Sequence, residues 1–328
     1  MNMTPTLSIC IPTFNRLHYL QEMLEALLPQ TRENNVEVFV SDNNSTDGTS
    51  EYLSKLSYIY PALRYITQDT NIGLEKNMVE AILAGTGNYI LPIGDDEVLP
   101  AGSIAEILES IDDADILILN GWHTDYKLTP VRMHLLDNLQ GRSFLRPDEA
   151  FISLWDKMPP GSFLASRGLF VRNNFGRYIG TSHAYTGAIW DALADLEKTK
   201  GSCNVKCMTS PTVLLRGGEK SWRKDAALIM LYEIPYWFSL IMEKEAYKKI
   251  IPAIRSEFLK SQTKIDSLIQ LRAIGQLDKS IVNKLGRECT PEQVRKLSIV
   301  AMLPKVIAHL IVKTRGKLRA IAKMALRK

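Results

Sequence analysis

The chain has 328 residues, of which 45% are hydrophobic, and its formal net charge is +4. This length and apolar content are enough for one large core, alone or with a smaller appended domain. Because aliphatic and aromatic residues are plentiful and low-complexity tracts are absent from the sequence, the composition excludes an intrinsically disordered protein.

The first third of the chain alternates short apolar runs with segments of helical periodicity. Five runs are apolar or β-branched and end in turn or polar residues, which predicts strands at 7–12, 36–41, 63–67, 89–93 and 116–119. The segments between them repeat apolar residues at helical spacing, which predicts helices, the first capped by Asn15 and the last over 103–108. This alternation predicts an α/β fold with a parallel sheet covered on both faces.

Residues 120–215 are patterned less regularly. We predict strands at 163–171 and 212–215, and a helix that follows Gly180–His183. From Asp225 onward the pattern is helical, interrupted by four prolines that predict breaks or kinks: Pro235, Pro252, Pro291 and Pro304.

Polar side chains follow three of the predicted strands. Asp42 and Asn44 follow the second strand, Thr13 and Asn15 follow the first, and the run Asp95-Asp96-Glu97 follows the fourth. Ligands of open α/β sheets bind beyond the carboxyl ends of the strands, so we expect a binding site there. Carboxylates that converge at such an edge suit Mg²⁺ or Mn²⁺, whereas the alternative is a solvated acidic turn that caps a helix at Pro100.

Four ordered segments resemble the motifs of family 2 glycosyltransferases of the GT-A fold. They lie within roughly residues 7–120. The segments are Ile11–Arg16, Val40–Thr49, Asn71–Gly73 together with Lys76–Asn77, and Gly94–Glu97. Two later segments, Ile179–His183 and Arg216–Trp222, resemble the subgroup that contains the abequosyltransferases of bacterial O-antigen synthesis. The resemblance implies a Rossmann-like GT-A domain that uses a nucleotide-diphosphate sugar.

The resemblance also implies roles for individual residues. It assigns the donor nucleotide-sugar to Pro12, Thr13, Asn15, Arg16, Asp42, Asn44, Asn71, Gly73, Lys76 and Asp95. Asp42 would read a pyrimidine base, and Asp96 would hold Mn²⁺ or Mg²⁺ with Glu97 as a second candidate ligand. Gly94 stands where many members have the first Asp of the metal motif, so the metal depends chiefly on Asp96.

The catalytic base is expected about one hundred residues after the metal run, by the same resemblance. His183 lies in that stretch and has an ordinary pKa of about 6.5, and Asp191 is its rival. His183 could instead be a metal ligand or a helix cap. Arg216, Lys220 and Trp222 form a glycine-flanked loop that we predict to be a lid over the donor and acceptor, the alternative being a plain surface loop.

Basic residues are concentrated at the end of the chain. From Arg295 to Lys328 there are ten Lys or Arg and no Asp or Glu, whereas the preceding residues carry 30 basic against 36 acidic side chains. Basic residues recur every four positions at Arg315, Arg319, Lys323 and Arg327, which predicts a basic amphipathic helix for an anionic membrane surface. The alternative is a helix packed on the protein body. Nucleic acid is not an expected partner, because no recognition motif is present.

The predicted domains are a catalytic domain at 1–222, with a nucleotide-sugar half at 1–120 and an acceptor half at 121–222, and a helical region at 223–328. We expect the transfer of a hexosyl or deoxyhexosyl group, with inversion, from a CDP-, UDP- or dTDP-sugar to a sugar hydroxyl of a lipid-linked oligosaccharide. The absence of a signal peptide or membrane-spanning run in the sequence predicts a cytoplasmic location, on the inner face of the bacterial plasma membrane. A non-catalytic nucleotide-sugar-binding module is the alternative; no glycine-rich phosphate loop supports a nucleotidyltransferase or a dehydrogenase.

Overall fold

The computed structural model describes residues 4–135, 138–171, 174–218, 225–285 and 288–314. The chain divides into two compact units. The first extends to Gly218 and also takes in Lys244–Tyr247, and the second contains the remaining residues that follow Gly218.

The described part of the first unit contains one sheet of nine strands, in the order β3-β2-β1-β4-β8-β5-β9-β7, with β6 paired to β5. The strands are β1 (Leu7–Thr13), β2 (Val36–Asp42), β3 (Leu63–Thr67), β4 (Tyr89–Pro92), β5 (Ile116–Thr124), β6 (Pro130–Met133), β7 (Ser143–Phe144), β8 (Phe163–Ser166) and β9 (Val205–Leu215). Its helices are α1 (Leu17–Leu27), α2 (Thr49–Ile59), α3 (Leu74–Ala84), α4 (Ser103–Ile111), α5 (Pro147–Leu154), α6 (Arg167–Val171) and α7 (Ala184–Lys200), with 3-10 turns at Leu28–Arg32 and Phe175–Arg177.

The predicted parallel arrangement is confirmed for β1 to β4. β1 lies between β2 and β4, and both pairs are parallel, as is the β2–β3 pair. The second half of the sheet is mixed, because β8 inserts antiparallel between β4 and β5, while β9 runs parallel to β5. The prediction of a strand over 163–171 was therefore wrong in its second half, where Arg167–Val171 forms α6.

A large part of the hydrophobic core of this unit is formed by β1, β2 and the helix α1 that packs on them. All seven residues of β1 and of β2 are buried, and Leu20, Leu24 and Leu27 of α1 pack with them. Strands that are buried along their whole length are typical of a parallel sheet covered on both faces. This rigid layer holds the carboxyl ends of β1, β2 and β4 side by side.

All the regular secondary structure in the described part of the second unit is helical, as predicted. Its helices are α8 (Ala226–Leu228), a π-helical turn at Ile229–Glu233, α9 (Ile234–Ile241), α10 (Glu245–Lys248, of which Lys248 belongs to this unit), α11 (Ile251–Gln262), α12 (Ile265–Ala273), α13 (Lys279–Leu285), α14 (Pro291–Met302) and α15 (Lys305–Thr314). Pro235, Pro252 and Pro291 stand in first helical turns, and Pro304 separates α14 from α15. Among the described residues no single helix has the length and apolarity of a membrane span, although α14 and α15 together meet that test across a bend of 99°.

Candidate functional site

Three parallel strands end at one edge of the sheet and bring Thr13, Asp42 and Asp95 together. Thr13 and Asp42 are register partners at the ends of β1 and β2. The Thr13 hydroxyl donates a hydrogen bond of 2.8 Å to Oδ2 of Asp95, which follows β4. All three side chains are buried. The polar side chains predicted to meet at the carboxyl ends of these strands therefore do lie at one edge of the sheet.

Arg16 joins two members of the acidic run. Its Nε lies 3.1 Å from Oδ1 of Asp95, and its Nη2 lies 2.8 Å from Oδ2 of Asp96. Burial acts to lower the pKa of Arg16, but attraction to Asp95 and Asp96 outweighs it and raises that pKa above its usual range. Two carboxylates therefore converge on one cation, and that cation is a side chain of the protein.

The solvated-turn alternative for the acidic run is wrong. Asp95, Asp96 and Glu97 are only 5%, 8% and 8% exposed. The helix that follows begins at Ser103 after Gly102, not at Pro100. Charged side chains this far from water need partners, so the run is part of an electrostatic network rather than a surface turn.

Glu97 points away from the pair formed by its neighbours. Its Oε2 accepts a hydrogen bond of 2.6 Å from the backbone N–H of Arg216. The described residues contain no group of three His, Cys, Asp or Glu placed to hold one metal. Asp96 and its neighbour Asp95 are the carboxylates of the run that would hold a divalent ion, in exchange for their contacts with Arg16, and phosphate oxygens and water would complete its shell as is usual for Mg²⁺.

Asn15 has a different role from the predicted helix cap. It adopts a φ of 51°, and its Oδ1 accepts a hydrogen bond from the backbone N–H of Thr46. The N–H of Leu17, at the start of α1, instead donates to Oδ2 of Asp47, while Oδ1 of Asp47 accepts from the Thr49 hydroxyl at the start of α2. The loops after β1 and β2 are therefore locked together, which positions Arg16.

Asp42 is completely buried at the end of β2. Its Oδ1 accepts a hydrogen bond of 3.1 Å from the backbone N–H of Ser45. Two asparagines that were not chosen from the sequence support this strand end. Asn77 donates to the Ser41 carbonyl at 2.8 Å, and Asn43 accepts from the N–H of Ile72 at 2.9 Å. Both stand inside the motifs quoted for the family resemblance, which was the available signal.

The remaining donor candidates lie around this centre. Pro12 is buried in β1, whereas the side of the site toward α3 is exposed and carries Asn44, Asn71, Gly73 and Lys76. Gly73 has a φ of +87°, a conformation that residues with a Cβ rarely adopt. Oδ1 of Asn71 accepts from both the side chain of Asn43 and the N–H of Gly73, so the turn into α3 is tied to the end of β2.

Arg216 lies at the base of the acidic loop. Its guanidinium donates to the carbonyl of Asp96 at 2.9 Å and to the carbonyl of Tyr126 at 2.8 Å, and pairs with Glu22 at 2.6 Å. Its side chain is 5% exposed. The structure therefore corrects the prediction of Arg216 as a lid residue. Lys220 and Trp222, the other predicted lid residues, lie outside the described residues.

His183 occupies the N-cap position of α7 and makes no capping hydrogen bond with its side chain. Its ring is half-buried, and burial lowers its pKa to about 4. Nδ1 lies 3.4 Å from the carbonyl of Thr181, which favours the tautomer with the proton on Nδ1. The preceding loop is tied to α3, because the N–H of Gly180 donates to Oε2 of Glu75 at 2.7 Å. Sequence reasoning did not select Glu75.

Asp191 does not share a site with His183. Eight residues along α7 separate the two by about 12 Å. Asp191 is buried, with Oδ2 3.6 Å from Nη1 of Arg177. Burial raises its pKa, while a hydrogen bond from Tyr178 acts in the opposite direction. These contacts place Asp191 in an internal polar network of the first unit.

Comparisons with known proteins agree with this architecture. The family model described as Glycosyl transferase family 2 matches residues 8–170. Abequosyltransferase RfbV of Salmonella typhimurium is 27% identical over 83% of this chain and 85% of its own length. A β-1,3-glucosyltransferase of Campylobacter jejuni, named for GalNAc(5)-diNAcBac-PP-undecaprenol, is 26% identical over 33% of this chain and 35% of its own length.

The fold comparison gives the same result. The crystal structure of Staphylococcus aureus TarS 1-349 in complex with UDP-GlcNAc superposes with a TM-score of 0.61 at 18% identity, over 90% of this chain and 84% of that one. Its complex with UDP gives 0.58 at 15% identity, over 91% and 90%. The expected GT-A fold is therefore confirmed. With its family-model match and its fold, this chain belongs to glycosyltransferase family 2.

Proposed function

We propose that this glycosyltransferase moves a hexosyl or deoxyhexosyl group from a pyrimidine nucleotide-diphosphate sugar to a sugar hydroxyl, with inversion. The observation that carries the proposal is the cluster of Thr13, Arg16, Asp95 and Asp96 beside Asp42 at the strand ends. A buried carboxylate at the end of β2 suits the N–H of a pyrimidine, and the exposed rim toward α3 leaves room for a diphosphate. TarS, a protein of the same fold, has been crystallised with UDP-GlcNAc and UDP, which supports a donor of this class.

The protein's own groups supply most of the donor chemistry. Arg16 is held between two carboxylates, so its guanidinium is preorganised near the place where diphosphate charge develops. When bound on Asp96 and Asp95, Mn²⁺ or Mg²⁺ would neutralise charge on the departing diphosphate. The buried surroundings strengthen both effects, because charges attract more strongly where water is excluded.

His183 is our choice of base. It stands at the N-cap position of α7 with Nδ1 3.4 Å from the Thr181 carbonyl, so in this tautomer Nε2 is the basic nitrogen. Its loop is fixed to the edge of the donor half by Glu75. His183 takes the proton of the acceptor hydroxyl, whose oxygen then bonds to the anomeric carbon. The bond from that carbon to the diphosphate breaks, and its electron pair leaves with the nucleoside diphosphate. A single displacement of this kind inverts the anomeric centre.

The acceptor we propose is a lipid-linked oligosaccharide of bacterial O-antigen or surface polysaccharide synthesis. The similarity to a transferase named for a PP-undecaprenol substrate supports a lipid-linked acceptor, and the similarity to RfbV supports a deoxy sugar donor. We propose that the enzyme works in the cytoplasm on the inner face of the plasma membrane. The predicted amphipathic helix around Arg315–Arg327 lies outside the described residues.

A nucleotide panel tests the donor class. Thermal unfolding is measured with CDP-, UDP-, dTDP- and GDP-sugars, each with and without Mn²⁺. We expect stabilisation by a pyrimidine donor that needs the metal, and its loss in Asp96→Asn. A larger shift with a GDP-sugar would contradict the pyrimidine assignment.

The competing function is a nucleotide-sugar-binding module without catalysis, which Gly94 in place of an Asp favours. A metal-dependent donor hydrolysis assay separates the two. An enzyme releases nucleoside diphosphate slowly even without acceptor, whereas a binding module stabilised by the same donor releases none.

A further inference from the structure

The two helices α14 and α15 form a sharp corner around Pro304, bent by 99°. Their outer sides carry large apolar side chains in solvent: Ile299 is 55% exposed, Met302 61%, Val306 72%, Ile307 45% and Leu310 56%. Five such residues within twelve positions concentrate exposed apolar surface on these two helices, and a large exposed apolar surface on a protein marks an interaction site. We call these five residues the apolar corner.

The corner is separate from the core of its unit. Leu297, Val300 and Ala301 of α14 and Ala308 of α15 are buried, and they pack in one cluster with residues such as Leu268 of α12. Each helix therefore has one apolar side that stabilises the unit and a second apolar side that the described residues leave in water. Folding of the unit does not explain the second side.

Charge identifies the kind of partner. Exposed cations flank the apolar corner at Arg295, Lys305 and Lys313, and no Asp or Glu occurs from Arg295 to the end of the chain. Lys296 is already paired with Glu292 at 2.7 Å. Exposed apolar side chains with exposed cations on the same two helices are complementary to an anionic lipid bilayer, where acyl chains accept the apolar groups and headgroups attract the cations. A second copy of this chain would bring the same cations against each other.

The lengths of α14 and α15 and the bend between them favour helices that lie in the membrane surface over helices that cross the membrane. α14 has twelve residues, and a helix needs about twenty to span the hydrocarbon. A bend of 99° between α14 and α15 prevents the pair from acting as one straight span. The corner between them can still enter the headgroup region with both helices near the membrane plane.

We infer that the apolar corner inserts into the surface of an anionic bilayer and anchors the enzyme there. This inference deepens the proposed location at the membrane and assigns it to described residues rather than to the helix predicted farther along the chain. It does not depend on donor chemistry, so the two proposals fail separately.

The test is vesicle flotation of the full-length protein with phosphatidylglycerol or phosphatidylcholine vesicles. The triple variant Val306→Ser, Ile307→Ser, Leu310→Ser changes only exposed side chains, and we expect its partitioning onto phosphatidylglycerol to fall at least tenfold. The matched control is Tyr58→Ser with Ile59→Ser, two apolar residues that are 87% and 60% exposed on α2. This control should bind like the unaltered protein.

A direct probe completes the experiment. Val306→Trp should show a blue-shifted emission on adding phosphatidylglycerol vesicles and none with phosphatidylcholine. Unchanged binding of the triple variant, an unshifted tryptophan, or a dimer in solution that the triple variant dissolves would overturn the inference. Donor hydrolysis in the triple variant should stay within twofold, so loss of vesicle binding with intact hydrolysis supports the anchor.

Discussion

The backbone N–H of Arg216 donates a hydrogen bond of 2.6 Å to Oε2 of Glu97, across 119 positions of sequence. The Arg216 guanidinium also holds the Asp96 carbonyl at 2.9 Å. Two adjacent residues of the acidic run are thus fixed by one residue that follows β9. The same segment is anchored by the bridge between Val98 and Leu214. These contacts hold the acidic loop against the end of β9 and the residue that follows it.

Arg216 should act as a positioning residue. We expect Arg216→Ala to lower kcat by at least tenfold and to weaken metal activation, because Asp96 loses its support. Losing the buried guanidinium also leaves the carbonyls of Asp96 and Tyr126 without their donor, which costs about 1–3 kcal/mol of folding stability. Activity and metal titrations are compared at a temperature where the variant is folded. Arg142→Ala, which removes an arginine stacked on Phe144, is the control; an Arg216→Ala enzyme with normal metal activation would contradict the role.

Asp96 and Glu97 should differ in their effect on the metal. Asp96→Asn removes the proposed ligand charge, so we expect activity to fall by 100-fold or more and the Mn²⁺ requirement to rise. Glu97→Gln keeps an acceptor for the Arg216 N–H and should leave the Mn²⁺ concentration for half-maximal activity within about twofold. Initial rates over a Mn²⁺ series make the comparison. Equal effects of the two substitutions would show that the carboxylates share one role.

Glu75 should hold the loop that carries His183. Glu75→Ala removes the acceptor of the 2.7 Å hydrogen bond from Gly180, so kcat should fall about tenfold with little change in donor KM. Glu75→Gln retains an oxygen acceptor and should recover most of the rate. Steady-state kinetics with both substrates provide the measurement. A glutamine variant no better than alanine would indicate that the negative charge, not the hydrogen bond, matters.

Substitutions at His183 and at Asp191 should affect different properties of the enzyme. Removing a general base typically costs a factor of 100 to 10,000, so His183→Ala should lose at least 100-fold in kcat. Asp191→Asn should mainly change stability, because Asp191 lies beside Arg177 and Tyr178 within the first unit. Transfer rates and melting temperatures are measured for both. Full activity in His183→Ala would remove His183 from the mechanism.

The buried His134 should make the folding stability of the protein fall in acid. It is 3% exposed, its Nε2 donates to the carbonyl of Lys157 at 2.9 Å, and its Nδ1 accepts from Nε2 of His123 at 3.1 Å. Burial lowers its pKa from 6.5 to about 4. The unfolded chain therefore binds a proton that the folded chain does not, and stability is lost as the pH falls from about 6.5 toward 4.

The proton uptake of His134 should lower the free energy of unfolding by about 2 kcal/mol between pH 7.5 and pH 5. Urea unfolding at several pH values measures it. His134→Asn removes this group, so its stability should decline less steeply with acid than that of the unaltered protein, whatever its stability at neutral pH. Parallel pH dependences in the two proteins would show that His134 is not responsible.

The sequence alone determined the framework of the nucleotide half. Apolar runs such as 7–12 and 36–41 stop at polar residues, and that local pattern is sufficient to locate a parallel strand and the polar residues at its end. It also led to Thr13, Asp42 and Asp96, because strand ends meet at one edge in such sheets. Local pattern failed at 163–171, where a four-residue strand runs straight into a short helix, and a run of apolar residues looks alike in both.

The tertiary structure decided which partner each charge has. Arg16 bridges Asp95 and Asp96, Glu97 turns to Arg216, and Asp47 caps the helix that begins near Asn15. These partners come from distant strands and loops, so no spacing in the sequence encodes them. The sequence shows that Asp95-Asp96-Glu97 places three carboxylates side by side, but not which partner each one has. Only the packed sheet, in which all three are buried, pairs Asp95 and Asp96 with Arg16 and Glu97 with the backbone of Arg216.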